Sequence, residues 1–338
     1  MSELAPQGCR VAQSLRAHRF FDGMASEHID LLRRVAHEVR FGDGEHVFEQ
    51  GAPASVAYFI VAGRVALRAV GPCGAAIDLA ELGAGEVLGE LSLIEDHRRS
   101  ASATARGELV VLTVDRSDLA ALCAHNHPVS LELLHRLALL LGERIRTSNP
   151  GMGHQLRRCS RDEAERKGLS PQLAGASFDV RRFLPVLPFF QRFTARNLDN
   201  FMRLCTVWTV PRGRQITGPG DTRGSCFVVV RGAAEAVAHR GDKSFRYAVL
   251  GPGTLFGELA WLLDEPRSAE VRSRETCTLL ELPREQLPGL VDPDCPLSFR
   301  FHESLVRSLM AQLGAQTRAL TRTEHREVAG VRVWQPLG

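Results

Sequence analysis

The pattern of apolar and polar positions changes from helical to strand-like near residue 39. Upstream of it, a helix start at Ser26 is followed by apolar residues at the spacing of one helix face: Ile29, Leu31, Leu32 and Val35. Between residues 39 and 114, short runs rich in Val, Ile and aromatic residues alternate with Gly, Asp and Pro turns. This alternation predicts an antiparallel roll or barrel. Residues 1–18 carry neither pattern and are predicted to be a loose leader.

A second series of strand-like runs begins near residue 207, after a helical lead-in at residues 188–204. In each series a glycine separates two apolar runs and predicts a hairpin, at Gly63 in the first and at Gly232 in the second. Further strands are predicted at residues 109–112 and 277–280.

The helical period returns after each strand series. Helices are predicted at residues 118–124, 129–146 and 297–321. The middle helix has an apolar seam with alternating steps of three and four residues, formed by Leu131, Leu134, Ala138, Leu141 and Ile145. Two interpretations stay open. In the first, the helix packs on its own roll; in the second, it forms a homodimer seam or its position reports ligand occupancy.

One short stretch interrupts each strand series, and it occurs twice. Residues 89–101 read GELSLIEDHRRSA and residues 257–269 read GELAWLLDEPRSA. The glutamates and the arginines of the two copies are both separated by 168 positions. Because two independent positions share one offset, the sequence indicates an internal duplication.

The residue types of this stretch suit a compact ligand that carries a phosphate and a ribose. A glycine before a helical turn lets the backbone approach an anion, and an arginine offers a fork of donors to phosphate oxygens. A glutamate would be repelled by phosphate but accepts from a sugar hydroxyl. A structural Glu–Arg ion pair is the alternative. The candidate residues are Gly89, Glu90, Leu91, Arg99 and Ser100, and in the second copy Gly257, Glu258, Leu259, Arg267 and Ser268.

Both stretches resemble the phosphate-binding cassette of cyclic nucleotide-binding domains, the family that includes kinase regulatory subunits and catabolite activator-type proteins. The resemblance implies that the glutamate binds the ribose 2′-hydroxyl, that the arginine binds the cyclic phosphate, and that a following helix closes over the base. The ligand it implies is cAMP or cGMP, without a metal; serine after each arginine favours cAMP. The first copy departs from the pattern at Arg98, where the second has Pro266.

Composition adds little to this picture. The 338 residues are 44% hydrophobic and 24% charged, with a net charge of +3, as in an ordinary soluble protein. There is no apolar run long enough to span a bilayer and no signal-peptide pattern at residues 1–20. The eight cysteines form no C-x-x-C pair, which predicts reduced thiols in a cytoplasmic protein and no metal site.

The predicted fold is α+β and mainly β: two tandem cyclic nucleotide-binding β-rolls, jelly-roll-like, each flanked by helices. The predicted boundaries are a leader at 1–18, domains at 19–146 and 178–322, a linker at 147–177 and a tail at 323–338. The linker carries Arg157-Arg158-Cys159-Ser160, similar to a kinase inhibitor sequence but interpreted as a solvated turn.

The first hypothesis for function is a cytoplasmic cyclic nucleotide receptor that acts on an unidentified effector protein through helix rearrangement. Neither residues 147–177 nor those after 321 offer a helix-turn-helix, so no DNA binding is expected. No catalytic constellation is found, so the chain is not expected to be an enzyme. The alternative is a tandem scaffold for protein assembly that binds no cyclic nucleotide or a different ligand.

Overall fold

The computed structural model describes residues 7–70, 76–94, 97–125, 127–147, 170–171, 179–240, 243–267 and 269–328. Packing divides the chain into two compact units. The first contains the described parts of residues 1–132 and 317–338, and the second contains those of residues 133–316. Each unit holds one antiparallel roll.

The first roll is a six-stranded sheet in the order β1-β8-β4-β5, with β2 beside β8 and β6 beside β4, and a separate β3–β7 pair. Its core includes Ile60, Val65, Leu109 and Val111. The strands are β1 (Ala36–Phe41), β2 (His46–Phe48), β3 (Pro53–Ala54), β4 (Val56–Val70), β5 (Ala76–Gly83), β6 (Val87–Leu88), β7 (His97–Arg98) and β8 (Ser102–Asp115). The helices are α1 (Gln7–Ala17), α2 (Ser26–Leu32) and α3 (Arg116–His125), with 3-10 helices at Arg19–Phe21 and Glu90–Leu93. The next helix, α4 (His127–Thr147), begins in the first unit and belongs to the second from residue 133 on.

The second roll is built from two sheets, in the orders β15-β12-β17-β10-β9 and β11-β16-β13-β14. Its strands are β9 (Ser170–Pro171), β10 (Thr206–Val210), β11 (Gln215–Thr217), β12 (Cys226–Arg231), β13 (Ala234–Arg240), β14 (Lys243–Leu250), β15 (Leu255–Phe256), β16 (Glu270–Ser273) and β17 (Cys277–Leu282). Its helices are α5 (Val180–Phe183), α6 (Ala195–Leu204), α7 (Glu258–Leu262), α8 (Leu287–Leu290) and α9 (Ser298–Val328), with 3-10 helices at Leu184–Val186, Pro188–Phe190 and Arg284–Gln286. The predicted strand series and closing helix are therefore present.

The two predicted hairpins are wrong. In both rolls the glycine lies against the backbone of a neighbouring strand and does not form a turn. β4 continues through Gly63 as one strand of 15 residues, with a shift in its pairing to β8. Gly232 lies where the chain passes from β12 in one sheet to β13 in the other. Both have positive φ, and a Cβ would overlap a carbonyl oxygen of the neighbouring strand, that of Glu108 or Thr276. Apolar runs around a glycine do not distinguish a turn from such a bulge.

The prediction of a loose leader is wrong for residues 7–17, which form α1. Val11 and Leu15 are one turn apart on this helix and are both buried. Burial of these two side chains stabilises a segment whose sequence is otherwise polar. At the next helix, α2 ends at Leu32, so Val35 lies beyond the helix that it was predicted to extend.

The seam of α4 lies inside the chain itself. Its five apolar residues are each at most 8% exposed: Leu131, Leu134, Ala138, Leu141 and Ile145. The seam is therefore covered within this chain, and a homodimer through this helix would have to use other residues. The prediction that the helix packs on its own roll is wrong for residues 133–147, which belong to the second unit.

The predicted linker lies mostly outside the described residues, as do Arg157-Arg158-Cys159-Ser160 and most of the predicted tail. Within it, β9 pairs with β10, so residues 170–171 belong to the second roll. Residues 323–328 continue α9. None of the helices in the described part of the chain has both the length and the apolar character needed to cross a bilayer.

Candidate functional site

Each candidate site begins with a glycine in the left-handed region, with φ of +71° at Gly89 and +79° at Gly257. Gly89 precedes a 3-10 turn of four residues, and Gly257 precedes the five-residue helix α7. The next residue in each copy is a buried glutamate, Glu90 at 4% exposure and Glu258 at 3%. A buried carboxylate costs free energy unless a partner compensates it, so both positions require a specific environment.

The arginine of the first copy, Arg99, is buried among neutral partners. Its Nη1 donates to Ser92 Oγ at 2.9 Å and its Nη2 to the carbonyl oxygen of Val56 at 2.7 Å. The guanidinium carbon lies 4.1 Å from the ring centroid of Phe48 and 5.5 Å from that of Tyr58. Burial lowers the pKa of Arg99, and the nearby Tyr58 and Glu90 oppose that shift.

The arginine of the second copy, Arg267, has the same backbone anchor but different side-chain neighbours. Its Nη1 donates to the carbonyl oxygen of Gly257 at 2.7 Å, and its Nη2 donates to that of Ser225. Burial lowers the pKa of Arg267, opposed first by the charge of Asp221. The Asp221 carboxylate in turn accepts from the backbone and side chain of Arg223.

The backbone hydrogen bonds identify which residues correspond around the two arginines. The N–H of Arg99 donates to the carbonyl of Ala52, and that of Arg267 to the carbonyl of Asp221, both at 2.9 Å. Asp221 therefore has an alanine as its counterpart. The second site therefore carries an acid beside its arginine, itself paired with Arg223, where the first site has an alanine.

Glu258 is contacted from the closing helix of its own unit. Its Oε1 accepts a hydrogen bond of 2.9 Å from Gln312 Nε2 on α9. Burial raises the pKa of Glu258, while the bond from Gln312 and the charge of Arg267 oppose the shift. Next to it, the indole of Trp261 is fully buried and its ring centroid lies 5.5 Å from that of Phe301 on α9. The second candidate site is thus covered by α9.

Helix α4 also packs on the second candidate site. A Cβ at Gly142 would lie 3.4 Å from side-chain carbons of Leu259 and Leu262, so the helix backbone approaches α7 closely. One turn later, Arg146 forms an ion pair with Glu265 in the loop that leads to Arg267. The helix with the predicted seam therefore contacts both ends of this stretch.

The remaining predicted site residues are less enclosed. Leu91 and Leu259 are half-buried, Ser100 is exposed, and Ser268 lies outside the described residues. Arg98, the departure from the family pattern, is exposed and donates from Nη1 to the carbonyl oxygen of Gly51 at 2.7 Å. It therefore ties the first loop to the neighbouring turn, a role that its counterpart Pro266 cannot fill with a side-chain hydrogen bond.

Sequence reasoning missed four neighbours of these groups: Phe48, Tyr58, Asp221 and Gln312. The three in the strand series look like ordinary members of short strands and turns. Gln312 offered one signal, because it is a polar residue seven positions after Leu305 on the apolar face of the closing helix.

Three of the six buried side-chain atoms without a hydrogen-bond partner among the described residues belong to the predicted site residues. They are Arg99 Nε, Arg267 Nε and Glu258 Oε2; the other three are Trp261 Nε1, Glu265 Oε2 and Arg307 Nε. Of the three site atoms, two are cationic donors, which suit phosphate oxygens, and one is a carboxylate acceptor, which suits a hydroxyl group. The residues present thus fit a ligand that carries both groups. Within the described ranges, no three or more His, Cys, Asp or Glu side chains are placed to hold a metal ion.

Comparison with known families agrees with this geometry. The cyclic nucleotide-binding domain family matches residues 38–126 and 207–294, just over half of the chain. The chain belongs to this family and contains two such domains in tandem.

Similar proteins come from several classes. The chain is 33% identical over 135 residues to the cyclic AMP receptor protein of Thermus thermophilus, which covers 40% of this chain and 61% of that protein. It is 24% identical over 277 residues to a cGMP-dependent protein kinase of Toxoplasma gondii, covering 82% of this chain and 22% of the kinase. Among solved structures, the regulatory domain of Toxoplasma gondii PKA with cAMP covers 93% of this chain and 99% of that chain at 16% identity, with a TM-score of 0.33. The chain spans 61% of the length of the Thermus thermophilus protein and 56% of that of a CRP-like cAMP-activated regulator of Mycobacterium tuberculosis.

Proposed function

We propose that this chain is a cyclic nucleotide receptor, with cAMP favoured over cGMP, that acts on a partner protein when ligand binding rearranges its helices. Arg99 and Arg267 would bind the cyclic phosphate, and Glu90 and Glu258 the ribose 2′-hydroxyl. The preference for cAMP rests on the serine after each arginine and on the cyclic AMP receptor among the relatives. Free thiols at Cys205, Cys226, Cys277 and Cys295 support a cytoplasmic location.

The observation that carries the proposal is the repetition of one arrangement in both units. Each has a left-handed glycine, a buried glutamate after it, and a buried arginine whose guanidinium lies against that glycine. Each arginine also keeps one buried donor without a partner among the described residues. If each arginine served only in a structural ion pair, there would be no reason for its buried Nε to lack a hydrogen-bond partner in both copies.

Calorimetric titration of the full chain with cAMP and with cGMP tests the proposal. It is repeated on Arg99→Ala, Arg267→Ala and the double variant, with circular dichroism as the control for folding. We expect two sites, each weakened by about 2–4 kcal/mol when its own arginine is replaced, because the phosphate loses a charge-assisted partner. Affinity within about twofold of the parent would contradict the phosphate assignment. Absence of binding with both nucleotides would favour the tandem scaffold.

A further inference from the structure

The ribose-binding role proposed for Glu258 requires its carboxylate to be held in one orientation. The side chain is only 3% exposed, so water does not orient it. One hydrogen bond from another side chain reaches it among the described residues, from Gln312 Nε2 to Oε1 at 2.9 Å. The second oxygen, Oε2, is buried and has no hydrogen-bond partner there.

This division of the two oxygens leaves Oε2 to accept from a ligand. We propose that Gln312 on α9 is a positioning residue of the second site, which holds Glu258 by Oε1 so that Oε2 accepts the 2′-hydroxyl of a bound ribose. The inference rests on the proposed function and deepens it, because it assigns recognition of the sugar to a pair of residues from two different elements.

The placement of Gln312 makes the pair dependent on closure of α9. Gln312 follows Leu309, which is fully buried, by one turn of the helix, so its amide reaches Glu258 only while this turn lies on the roll. Trp261 and Phe301 pack together on the same two elements. A ribose hydroxyl at Oε2 and a closed α9 would therefore stabilise each other.

The first copy does not repeat this residue. The offset of 168 that relates the two glutamates places Arg144 at the position equivalent to Gln312. Both side chains can donate to a carboxylate, but arginine is always charged whereas the glutamine amide is neutral, and the observed bond to the glutamate is that of Gln312 to Glu258. The proposal therefore concerns the second site alone.

The test compares cAMP with 2′-deoxy-cAMP at the second site of the full chain, in an Arg99→Ala background, by calorimetry. The measured quantity is the ratio of the two dissociation constants. With Gln312 in place we expect the deoxy analogue to bind about 10-fold or more weakly, since it leaves a buried charged acceptor unpaired. In Gln312→Leu the dissociation constant of the deoxy analogue should be at most about three times that of cAMP. The ratio falls because cAMP loses affinity while the affinity of the analogue changes little.

The ratio separates positioning from structural damage, because a loosened helix weakens both nucleotides equally. Ser308→Ala, one turn earlier on α9, is the matched control and should keep the parent ratio. Gln312→Asn shortens the side chain and should give a lower ratio than the parent. An unchanged ratio in Gln312→Leu overturns the inference but leaves the proposed function standing. If the second site binds neither nucleotide, the proposed function fails there and the inference fails with it.

Discussion

The guanidinium of Arg267 occupies the space in which a side chain at Gly257 would begin. A Cβ built on Gly257 overlaps Nη1 of the arginine and approaches the carbonyl oxygen of Ser225 to 3.2 Å. Gly89 and Arg99 repeat this relationship, with the carbonyl of Val56 in place of that of Ser225. Glycine is therefore required in both copies for two independent reasons, its positive φ and the close approach of the arginine.

Replacement of Gly257 by alanine should disable the second site. The left-handed conformation costs a non-glycine residue about 1–2 kcal/mol, and the Cβ would displace the guanidinium. We expect a lower thermal midpoint and at least about a 10-fold loss of cAMP affinity at that site alone. A loss of this size corresponds to about the free energy of one charged hydrogen bond. Gly251→Ala is the matched control, because a Cβ there meets nothing within 4 Å. Equal effects of the two substitutions would contradict the steric argument.

The close approach of the arginine to the glycine in each copy was predictable from the sequence only in part. The sequence repeat located both stretches, and the residue types indicated an anion and a sugar. The distance between Gly257 and Arg267 depends on how the loop folds back, which ten residues of sequence do not specify. Likewise, Gly63 was mistaken for a turn because the alternation of apolar residues continues through a bulge.

Contacts made by residues distant in sequence were also beyond prediction. Glu258 and Gln312 are 54 positions apart, and their bond depends on where α9 crosses α7. The burial of Val11 and Leu15 depends in the same way on the roll that covers them. Local pattern therefore predicted the elements, while tertiary packing determined the neighbours of each site.

Burial of Glu258 should make the ligand-free chain less stable at neutral pH. Its pKa is raised above the usual 4.5, so the folded chain retains a proton in a pH window where the unfolded chain has lost it. The free energy of unfolding therefore falls as pH rises through that window. Glu258→Gln removes the charge and still accepts from Gln312, so its thermal midpoint should exceed that of the parent at pH 7.5 and match it near pH 4.

The same substitution should weaken nucleotide binding at the second site by about 1–2 kcal/mol, since a neutral amide oxygen is a poorer acceptor. Glu45→Gln, at an exposed turn, serves as the control for both measurements. A Glu258→Gln variant that is destabilised at pH 7.5 would show that the buried carboxylate contributes to folding, contrary to this argument.

Acid should destabilise the second unit through His302. This histidine is fully buried, its Nδ1 donates to the carbonyl of Ser298 at 3.0 Å, and its Nε2 therefore accepts from His135 Nδ1 at 3.1 Å. Burial, together with His135, lowers the pKa of His302 from 6.5 to about 4. Because the unfolded chain then binds the proton more readily between these values, stability falls as pH decreases from 6.5 towards 4.

The linkage predicts a loss of about 2 kcal/mol in the free energy of unfolding between pH 7 and pH 5 from this group. Chemical denaturation of the parent and of His302→Gln at both pH values measures it, and the variant should show a smaller loss. His37→Gln, at an exposed position, should keep the parent dependence. The same pH dependence in His302→Gln and the parent would assign the acid sensitivity to other groups.

Phe48 should contribute to ligand affinity at the first site alone. The guanidinium of Arg99 stacks on its ring at 4.1 Å. Phe48 pairs with Ala103, and Val271, the counterpart of Ala103 in the second roll, pairs with Thr217 in β11. Stacking uses the face of the guanidinium and does not occupy its in-plane N–H groups, of which Nε has no hydrogen-bond partner in the described part of the chain and is left to bind phosphate. The ring therefore orients the cation without competing with the ligand.

Phe48→Leu should reduce cAMP affinity at the first site by about 0.5–2 kcal/mol, the range of a cation–π contact, when measured in an Arg267→Ala background. Phe48→Tyr keeps the aromatic face and should retain the parent affinity. Phe41→Leu makes the same change elsewhere in the first core and controls for general loss of packing. If Phe48→Leu and Phe48→Tyr bind equally well, the aromatic face does not orient Arg99, and the backbone carbonyl of Val56 and the hydroxyl of Ser92 suffice to hold it.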